Sequence, residues 1–538
     1  MRKTVTARLG ALALGLPMLA IGPASAAAEA AGKPNLVIIV ADDMGFSDLG
    51  CYGGEIRTPN LDALAAQGLR FTQFYNTGRC WPSRAALLTG YYAQQVNRDP
   101  PRRRPKWAAL LPELLKPAGY RAYHSGKWHL DGKVLAGGFD ASYHVEDPDR
   151  YFSPDDHRLN DKILPQPCPD EGYYTTTAIA DRAIEQLVDH EKEHCGEPFL
   201  LYLAFTSPHF PLQALPEDIE RYQDRYKEGW DAIRRERWRR LREMGIVSGV
   251  LSAADPEVVP DHSLSTEDLA ARVDPGEMLH VEPWDELTDE QKAFQAGKMA
   301  VHAAMVDRMD REIGRVLDQL KAMGAFDDAL IVFMSDNGAS SEQIIRGDGH
   351  DPKAPLGSAR TFVGLGQGWA TAANTPFRLY KIWSHEGGVA TPLIVRWPAG
   401  IRDRDRGGLR RAPGHLVDLA PTLLEAAGVT PPDSFNGEDR PPPPGRSLLP
   451  VLRDDIVPDR PPIFFKHQGR RALRDGDWKI VRKEKPEALW ELYDLAHDRT
   501  ETRNLAAERP EKLKALVKTW TRLDRRFLRD RDGSDSKP

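Results

Sequence analysis

Apolar residues fall into a few unbroken runs along this chain. Asn35-Leu-Val-Ile-Ile-Val-Ala41 is continuous and stops at Asp42-Asp43. Alternation would mark a strand with one wet face, whereas an unbroken run marks one covered on both faces, as in a parallel sheet. The pattern returns at Pro198 to Phe205, Ala329 to Met334 and Thr391 to Trp397. Between these runs apolar residues recur at helical spacing, over Thr58 to Gln67, Ala85 to Leu88, Thr175 to His190, Ala296 to Met323 and Leu416 to Ala427. Strands alternating with helices predict an α/β domain over residues 33–430, with a large, mostly parallel sheet sandwiched by helices.

Two regions depart from that rhythm. Glu217 to Glu243 is dense in Arg and Glu with apolar residues at helical spacing. It predicts a helical insertion near residues 212–290, either a lid over substrate or a solvated surface helix. Residues 431–457 are crowded with proline, including Pro441 to Pro444, and read as a linker. Beyond it, short strands are expected at Ile463 to Phe465, Arg471 to Leu473, Trp478 to Val481 and Trp490 to Tyr493, then a helix from Pro510 to Phe527. That makes residues 458–538 a smaller C-terminal α+β domain. At the other end, Arg2, Lys3 and Arg8 precede an apolar stretch, Leu9 to Ile21, and a small-residue site at Ala24-Ser25-Ala26. Residues 1–26 therefore read as a signal peptide, and the protein as exported, periplasmic or secreted. No later segment reaches the roughly 18 apolar residues of a membrane span.

Composition narrows the chemistry. Among 538 residues, 73 Lys and Arg face 79 Asp and Glu, a net charge of −6. Such a chain is poorly suited to phosphate backbones, so nucleic acid is not an expected partner. Hydrophobic residues make up 41%, enough to exclude disorder. Four cysteines, Cys51, Cys80, Cys168 and Cys195, are too few for a disulfide scaffold. A Cys168–Cys195 bridge and free thiols both remain open.

Candidate chemistry gathers at strand ends. Asp42 and Asp43 close the first run, and Asp336 and Asn337 close the one at Ala329 to Met334. Ligand sites in open parallel sheets lie outside the carboxyl ends of strands, and oxygen donors converging there suit calcium or magnesium better than zinc. Cys80-Trp81-Pro82-Ser83-Arg84 places a cysteine at a helix start, with Pro82 at a first helical position. Exposed N–H groups there favour an anion and lower a thiol pKa. In the Gly126-Lys-Trp-His-Leu130 segment, singled out only by the family resemblance given below, Lys127 and His129 are two apart and would share a face if the segment is extended. His209 follows the Pro198 to Phe205 run. His124 and His385 read as cap or surface residues. Gly364-x-Gly366-x-Gly368 follows no strand and opens no helix in this reading, so it is expected to be a flexible loop.

These motifs resemble the sulfatase family of the alkaline-phosphatase-like superfamily, and bacterial arylsulfatases most of all. The resemblance rests on Ala41-Asp-Asp-Met-Gly45, Cys80-x-Pro-Ser-Arg84 with Leu88-Thr-Gly90, Gly126-Lys-Trp-His-Leu130 and Ser207-Pro-His209. It continues through Ser335-Asp-Asn-Gly338, Arg378-Leu-Tyr-Lys381 with Glu386-Gly-Gly388, Asp475-Gly-Asp-Trp-Lys479 and Leu492-Tyr-Asp-Leu495. It implies that Cys80 is converted to formylglycine (3-oxoalanine) by a formylglycine-generating enzyme. It also implies that Asp42, Asp43, Asp336, Asn337 and the modified Cys80 hold one calcium ion. Arg84 would steady the formylglycine hydrate, and Lys127 and Lys381 would grip sulfate oxygens. His129 would handle the proton of the formylglycine hydroxyl, and His209 would protonate the leaving alcohol. The implied reaction is hydrolysis of an aryl sulfate or a sulfated carbohydrate, including a sulfated polysaccharide fragment. The alternatives are a formylglycine-dependent phosphonate or phosphate-ester hydrolase, and a non-catalytic binder of sulfated glycans.

Overall fold

The computed structural model describes residues 32–168, 171–259, 263–484 and 488–532, with Met1 and Thr4. The signal peptide expected over residues 1–26 lies outside the described residues, Met1 and Thr4 apart. Residues 34–538 form one compact unit. No described helix is long and apolar enough to cross a membrane.

The main sheet has eleven strands. In chain order they are β1 (Asn35–Ala41), β2 (Leu69–Tyr75), β3 (Arg121–Gly126), β4 (Ala141–Val145), β5 (His157–Leu159), β6 (Lys162–Ile163), β7 (Phe199–Ala204), β8 (Ala329–Ser335), β9 (Ala390–Arg396), β10 (Gly408–Arg410) and β11 (Gly414–His415). Their spatial order is β10-β2-β9-β8-β1-β7-β3-β4-β5-β6, with β11 also on β2. The centre, β8-β1-β7-β3, is parallel throughout. One expectation fails here. β9, read as another parallel strand, runs antiparallel to both β8 and β2. An unbroken apolar run reports burial of both faces and says nothing about direction.

The run in β1 shows why the sheet is covered twice. Its residues divide by parity between two cores. Val37, Ile39 and Ala41 pack with the helices Pro59–Gln67, Thr175–Glu193 and Asp289–Ala322. Leu36, Ile38 and Val40 pack on the other side with the helices Cys80–Thr89, Leu419–Ala426 and Pro510–Asp532. All six β1 residues from Leu36 to Ala41 are fully buried. Truncating any of the large ones, such as Ile38→Ala, would cost about 2–5 kcal/mol.

Helix starts differ from the periodic reading where capping decides. The helix expected from Ala296 begins at Asp289, because Thr288 and Gln291 form a capping box. The helix expected from Ala85 begins at Cys80, so Pro82 is its third residue and Cys80 its first. Gly366 opens the helix Gly366–Ala373, which corrects the flexible loop expected there. Gly368 is needed because a Cβ would fall 2.6 Å from Trp230. His124 is neither cap nor surface: it is buried within β3, with Nδ1 3.0 Å from the Ser142 hydroxyl. Cys168 and Cys195 are both free and exposed.

The insertion carries the helix Gly229–Glu243, which buries Trp230, Ile233, Arg237 and Leu241 on one side and exposes Arg235, Arg239 and Arg242 on the other. Arg237 is fully buried and pairs with Asp48 at 2.7 Å and Glu55 at 2.8 Å, which bolts the helix to the loop after β1.

Past the small hairpin of β12 (Ser434–Phe435) and β13 (Glu438–Asp439), a second sheet forms. It consists of β14 (Ile463–His467), β15 (Arg470–Asp475), β16 (Trp478–Arg482) and β17 (Trp490–Asp494), all antiparallel. A buried ionic cluster welds it to the main sheet. Glu386 accepts from Lys479 (2.8 Å), Arg499 (3.1 Å) and the Tyr75 hydroxyl (2.9 Å), and Glu501 forms an ion pair with Lys479 (2.8 Å). Burial alone would raise the Glu386 pKa, but Lys479 and Arg499 hold it down to about 2. Lys479→Met leaves Glu501 buried without its cation and Glu386 with Arg499 as its one remaining paired cation among the described residues, and is expected to cost about 3–5 kcal/mol in thermal or denaturant unfolding. The folded pKa is depressed, so the stabilisation is present above the ordinary value near 4.5. It is lost as pH falls from there towards 2. Acid titration of wild type and Glu386→Gln should therefore converge in stability at the low end of that window.

Candidate active site

The candidate side chains that follow the central strands sit at one end of the parallel core. Asp42 and Asp43 follow β1, Lys127 and His129 follow β3, His209 follows β7, and Asp336 and Asn337 follow β8. Four adjacent strands running the same way must deliver their next residues to one edge, so the sheet itself assembles the site. Cys80, the first residue of its helix, is 3% exposed.

The acids and bases there interlock. Asp42 accepts a very short hydrogen bond from Lys127 Nζ and lies 3.8 Å from Arg84. Asp43 accepts from Lys381 Nζ at 2.8 Å and from Asn337 Nδ2 at 2.6 Å, with its own N–H towards Asp336 at 3.4 Å. Arg84 donates Nε to Asp336 at 2.9 Å and Nη1 to the Lys127 carbonyl at 3.0 Å. All of these groups are buried. Burial opposes ionisation of Asp42, yet the cations Lys127 and Arg84 hold it far below the usual carboxylate range. Burial and the neighbouring Asp42 drive Asp336 the other way, well above that range. Burial lowers Lys127, but Asp42 and Cys80 raise it overall.

Both histidines are held neutral. Burial pushes His129 well below its ordinary value, and Lys127 and Arg84 add to that. Its Nδ1 is buried with no partner. The shared extended face expected for Lys127 and His129 is not what forms: His129 has φ 55°, so the chain turns there. Burial likewise brings His209 down to about 4. Its Nδ1 donates to the Phe210 carbonyl, which leaves Nε2 facing Asp43 at 3.6 Å.

Three residues that the sequence did not single out complete the surroundings. Glu342, on the loop after β8, joins Lys381 (3.1 Å) to Arg79 (3.5 Å). Trp81 lies between the rings of His129 (5.6 Å) and His467 (5.5 Å). Of these, Trp81 stood inside the Cys80 motif without a role assigned to it. His385 was read as a cap or surface residue; it does sit at a helix start but is fully buried, bonding Glu491 at 2.9 Å instead of capping.

A cation fits this arrangement. Asp42, Asp43 and His209 offer ligand atoms within 4.8 Å of one another. Asp42 Oδ1 and Asn337 Oδ1 are buried with no hydrogen-bond partner. Unpartnered buried acceptors are costly, and a hard cation would satisfy both.

The chain matches the sulfatase family model over residues 34–429. It belongs to the sulfatase family. As a type I sulfatase of the alkaline-phosphatase-like superfamily it is a sulfuric ester hydrolase. Residues 377–526 also match the C-terminal model of N-sulphoglucosamine sulphohydrolase. An uncharacterized sulfatase of Schizosaccharomyces pombe is 34% identical, over 91% of this chain and 93% of its own length. The arylsulfatase of Klebsiella aerogenes is 31% identical, over 86% and 98%. The N-acetylglucosamine-6-O-sulfatase of Bacteroides thetaiotaomicron is 27% identical, over 93% and 88%. Among solved structures, BT4656 in complex with its substrate D-glucosamine-2-N,6-O-disulfate aligns with a TM-score of 0.62 at 23% identity, covering 94% of this chain and 100% of that one.

Proposed function

We propose that this sulfatase releases inorganic sulfate from sulfated carbohydrates or aryl sulfates, with residue 80 matured to formylglycine and one calcium ion at the strand ends. Asp42, Asp43, Asp336, Asn337 and the modified residue 80 would hold the ion. The observation that carries this reading is the convergence of those oxygen donors with Cys80 and two buried lysines at one edge of the sheet. Sulfated-sugar relatives point to the carbohydrate class. The basic and apolar pattern of residues 1–21 supports export to a periplasmic or extracellular space, where calcium is plentiful.

When bound, calcium supplies positive charge opposite the ester oxygens, and a hydrated aldehyde at residue 80 supplies a nucleophilic hydroxyl. The chain's own residues do the rest. Lys127 and Lys381 pair with Asp42 and Asp43; were an ion to take up those carboxylates, both ammonium groups would be free to grip sulfate. Arg84, bonded to Asp336 and the Lys127 carbonyl with its Nη2 buried and without a hydrogen-bond partner, would steady the hydrate at residue 80. His129, neutral and with Nδ1 unpartnered, takes the proton of the residue 80 hydroxyl. His209, whose Nδ1–H is held by the Phe210 carbonyl, would take a proton from solvent on Nε2 and deliver it to the bridging oxygen as the alcohol departs.

A pair of substrates tests these two roles. A sugar alcohol is a poor leaving group and needs that proton, whereas nitrophenolate leaves readily as an anion. His209→Ala should therefore cut turnover of a sugar sulfate by about 10²–10⁴-fold and that of nitrophenyl sulfate far less. His129→Ala, which acts on the step common to both, should impair both. Equal losses on the two substrates in a folded His209→Ala protein would refute its role. Screening defined sulfated sugars beside the aryl sulfate identifies the alcohol half of the substrate.

A further inference from the structure

The last helix, Pro510–Asp532, is strongly two-sided. Leu516, Trp520, Leu523 and Phe527 are buried against the second sheet. On the opposite side Lys514, Lys518, Arg522, Arg525 and Arg529 are all exposed. At about 100° per residue these five cations fall within an arc of about 80° and run for about 22 Å along the axis. The stretch contains one acid, Asp524, and it turns away to pair with Lys466 at 2.6 Å. Among the described residues, none of the five side chains has a hydrogen bond or an ion pair.

A solvated helix face usually mixes both signs, because like charges at i,i+4 weaken the helix. A uniform row in a chain of net charge −6 therefore carries a cost with no return inside the fold. Its surroundings suggest the return. A cavity of about 970 Å³ lies along Lys518, Arg522, Arg525 and Arg529. At Arg529 a second one, of about 960 Å³, begins and continues to Arg440, Lys106 and Arg103. Its wall also carries four acids: Glu438 accepts from the Trp107 N–H, Asp530 from Gln95 and Asp532 from Arg531, while Asp439 has no side-chain partner among the described residues, against the cations Arg103, Arg104, Lys106, Arg440, Arg529 and Arg531. Arg103 and Lys106 have no side-chain partner among the described residues. The far end reaches Arg104, which pairs with Asp131 at 2.9 Å, two residues from His129.

We propose that this basic track is an exosite for a sulfated glycan chain, which it holds while sulfate esters enter the active site. The occupant is chosen by charge complementarity and by the track's course towards His129, and its sulfated character rests on the function proposed above. An inserting amphipathic helix would need a free apolar face, and here that face is buried in the protein.

The test uses Lys518→Gln/Arg522→Gln/Arg525→Gln, exposed positions whose change should leave the fold intact. Binding to dextran sulfate is measured in a Cys80→Ala background, which needs no turnover. The triple variant should bind at least tenfold more weakly, and its log Kd against log[NaCl] slope should fall by about two to three, one counterion per lost contact. In the active protein, kcat/KM on a sulfated polysaccharide should drop by a similar factor while nitrophenyl sulfate turnover stays within about twofold. Equal binding by parent and variant, or tighter binding of the parent to duplex DNA or phosphatidylserine vesicles than to dextran sulfate, would overturn the exosite. An enzyme that releases no sulfate from any ester would refute the proposed function instead, and the dextran sulfate comparison would still decide the track.

Discussion

Cys80→Ala is expected to abolish turnover of every substrate, by on the order of 10⁶-fold, the scale on which covalent hydrolases feel loss of their nucleophile. The side chain is 3% exposed and heads its helix, among Arg84, Lys127 and Lys381, so no other group can take its place. Alanine at a helix start fits without strain, and the unfolding transition should move little. Cys80→Ser separates a missing nucleophile from a missing second hydroxyl. Serine offers one hydroxyl where a hydrated aldehyde offers two, so it should react once and then release product slowly, giving a burst without steady turnover. Peptide mass spectrometry of active wild-type protein should find an aldehyde in place of the thiol. Full activity from protein carrying only the unmodified cysteine would overturn the mechanism.

Much of this site was legible because strand ends are legible. The apolar runs that become β1, β7 and β8 are each followed by polar residues, and a parallel sheet leaves those residues at one edge. Lys127 and Lys381 were recognisable only from family motifs, since nothing local marks a lysine that will be buried. What stayed hidden was tertiary pairing. Glu386 and Lys479 each stood in a motif 93 positions apart, and neither motif says that one neutralises the other across two sheets. Glu342 lies in a loop with no periodicity and has meaning only beside Lys381 and Arg79. The direction of β9 was hidden for a simpler reason: burial of both faces is compatible with either orientation.

The second large effect concerns the ion. Asp42→Asn and Asp336→Asn preserve side-chain size but each remove one charge from the cluster that would hold it. Wild-type protein should contain one calcium per chain, and each variant should lose metal and activity together. A readout independent of activity follows from linkage, because a ligand that binds only the folded state stabilises it by about 2.7 kcal/mol at a hundredfold excess over its Kd. Wild type should therefore unfold at higher temperature with calcium than with chelator. Both variants should show little such shift. Asp336→Asn carries a further cost because Arg84, fully buried, loses the carboxylate that accepts its Nε at 2.9 Å. Removing one partner of a buried pair is worth about 3–5 kcal/mol, so this variant should be less stable even with chelator present. Asp42→Asn leaves the Arg84–Asp336 pair intact but takes the carboxylate from buried Lys127, so it too should be less stable in chelator; loss of the calcium response on top of that drop is what separates metal binding from packing. Stoichiometric zinc, with activity depending on it, would contradict the assignment, since the donors brought together here are hard oxygens beside a single histidine.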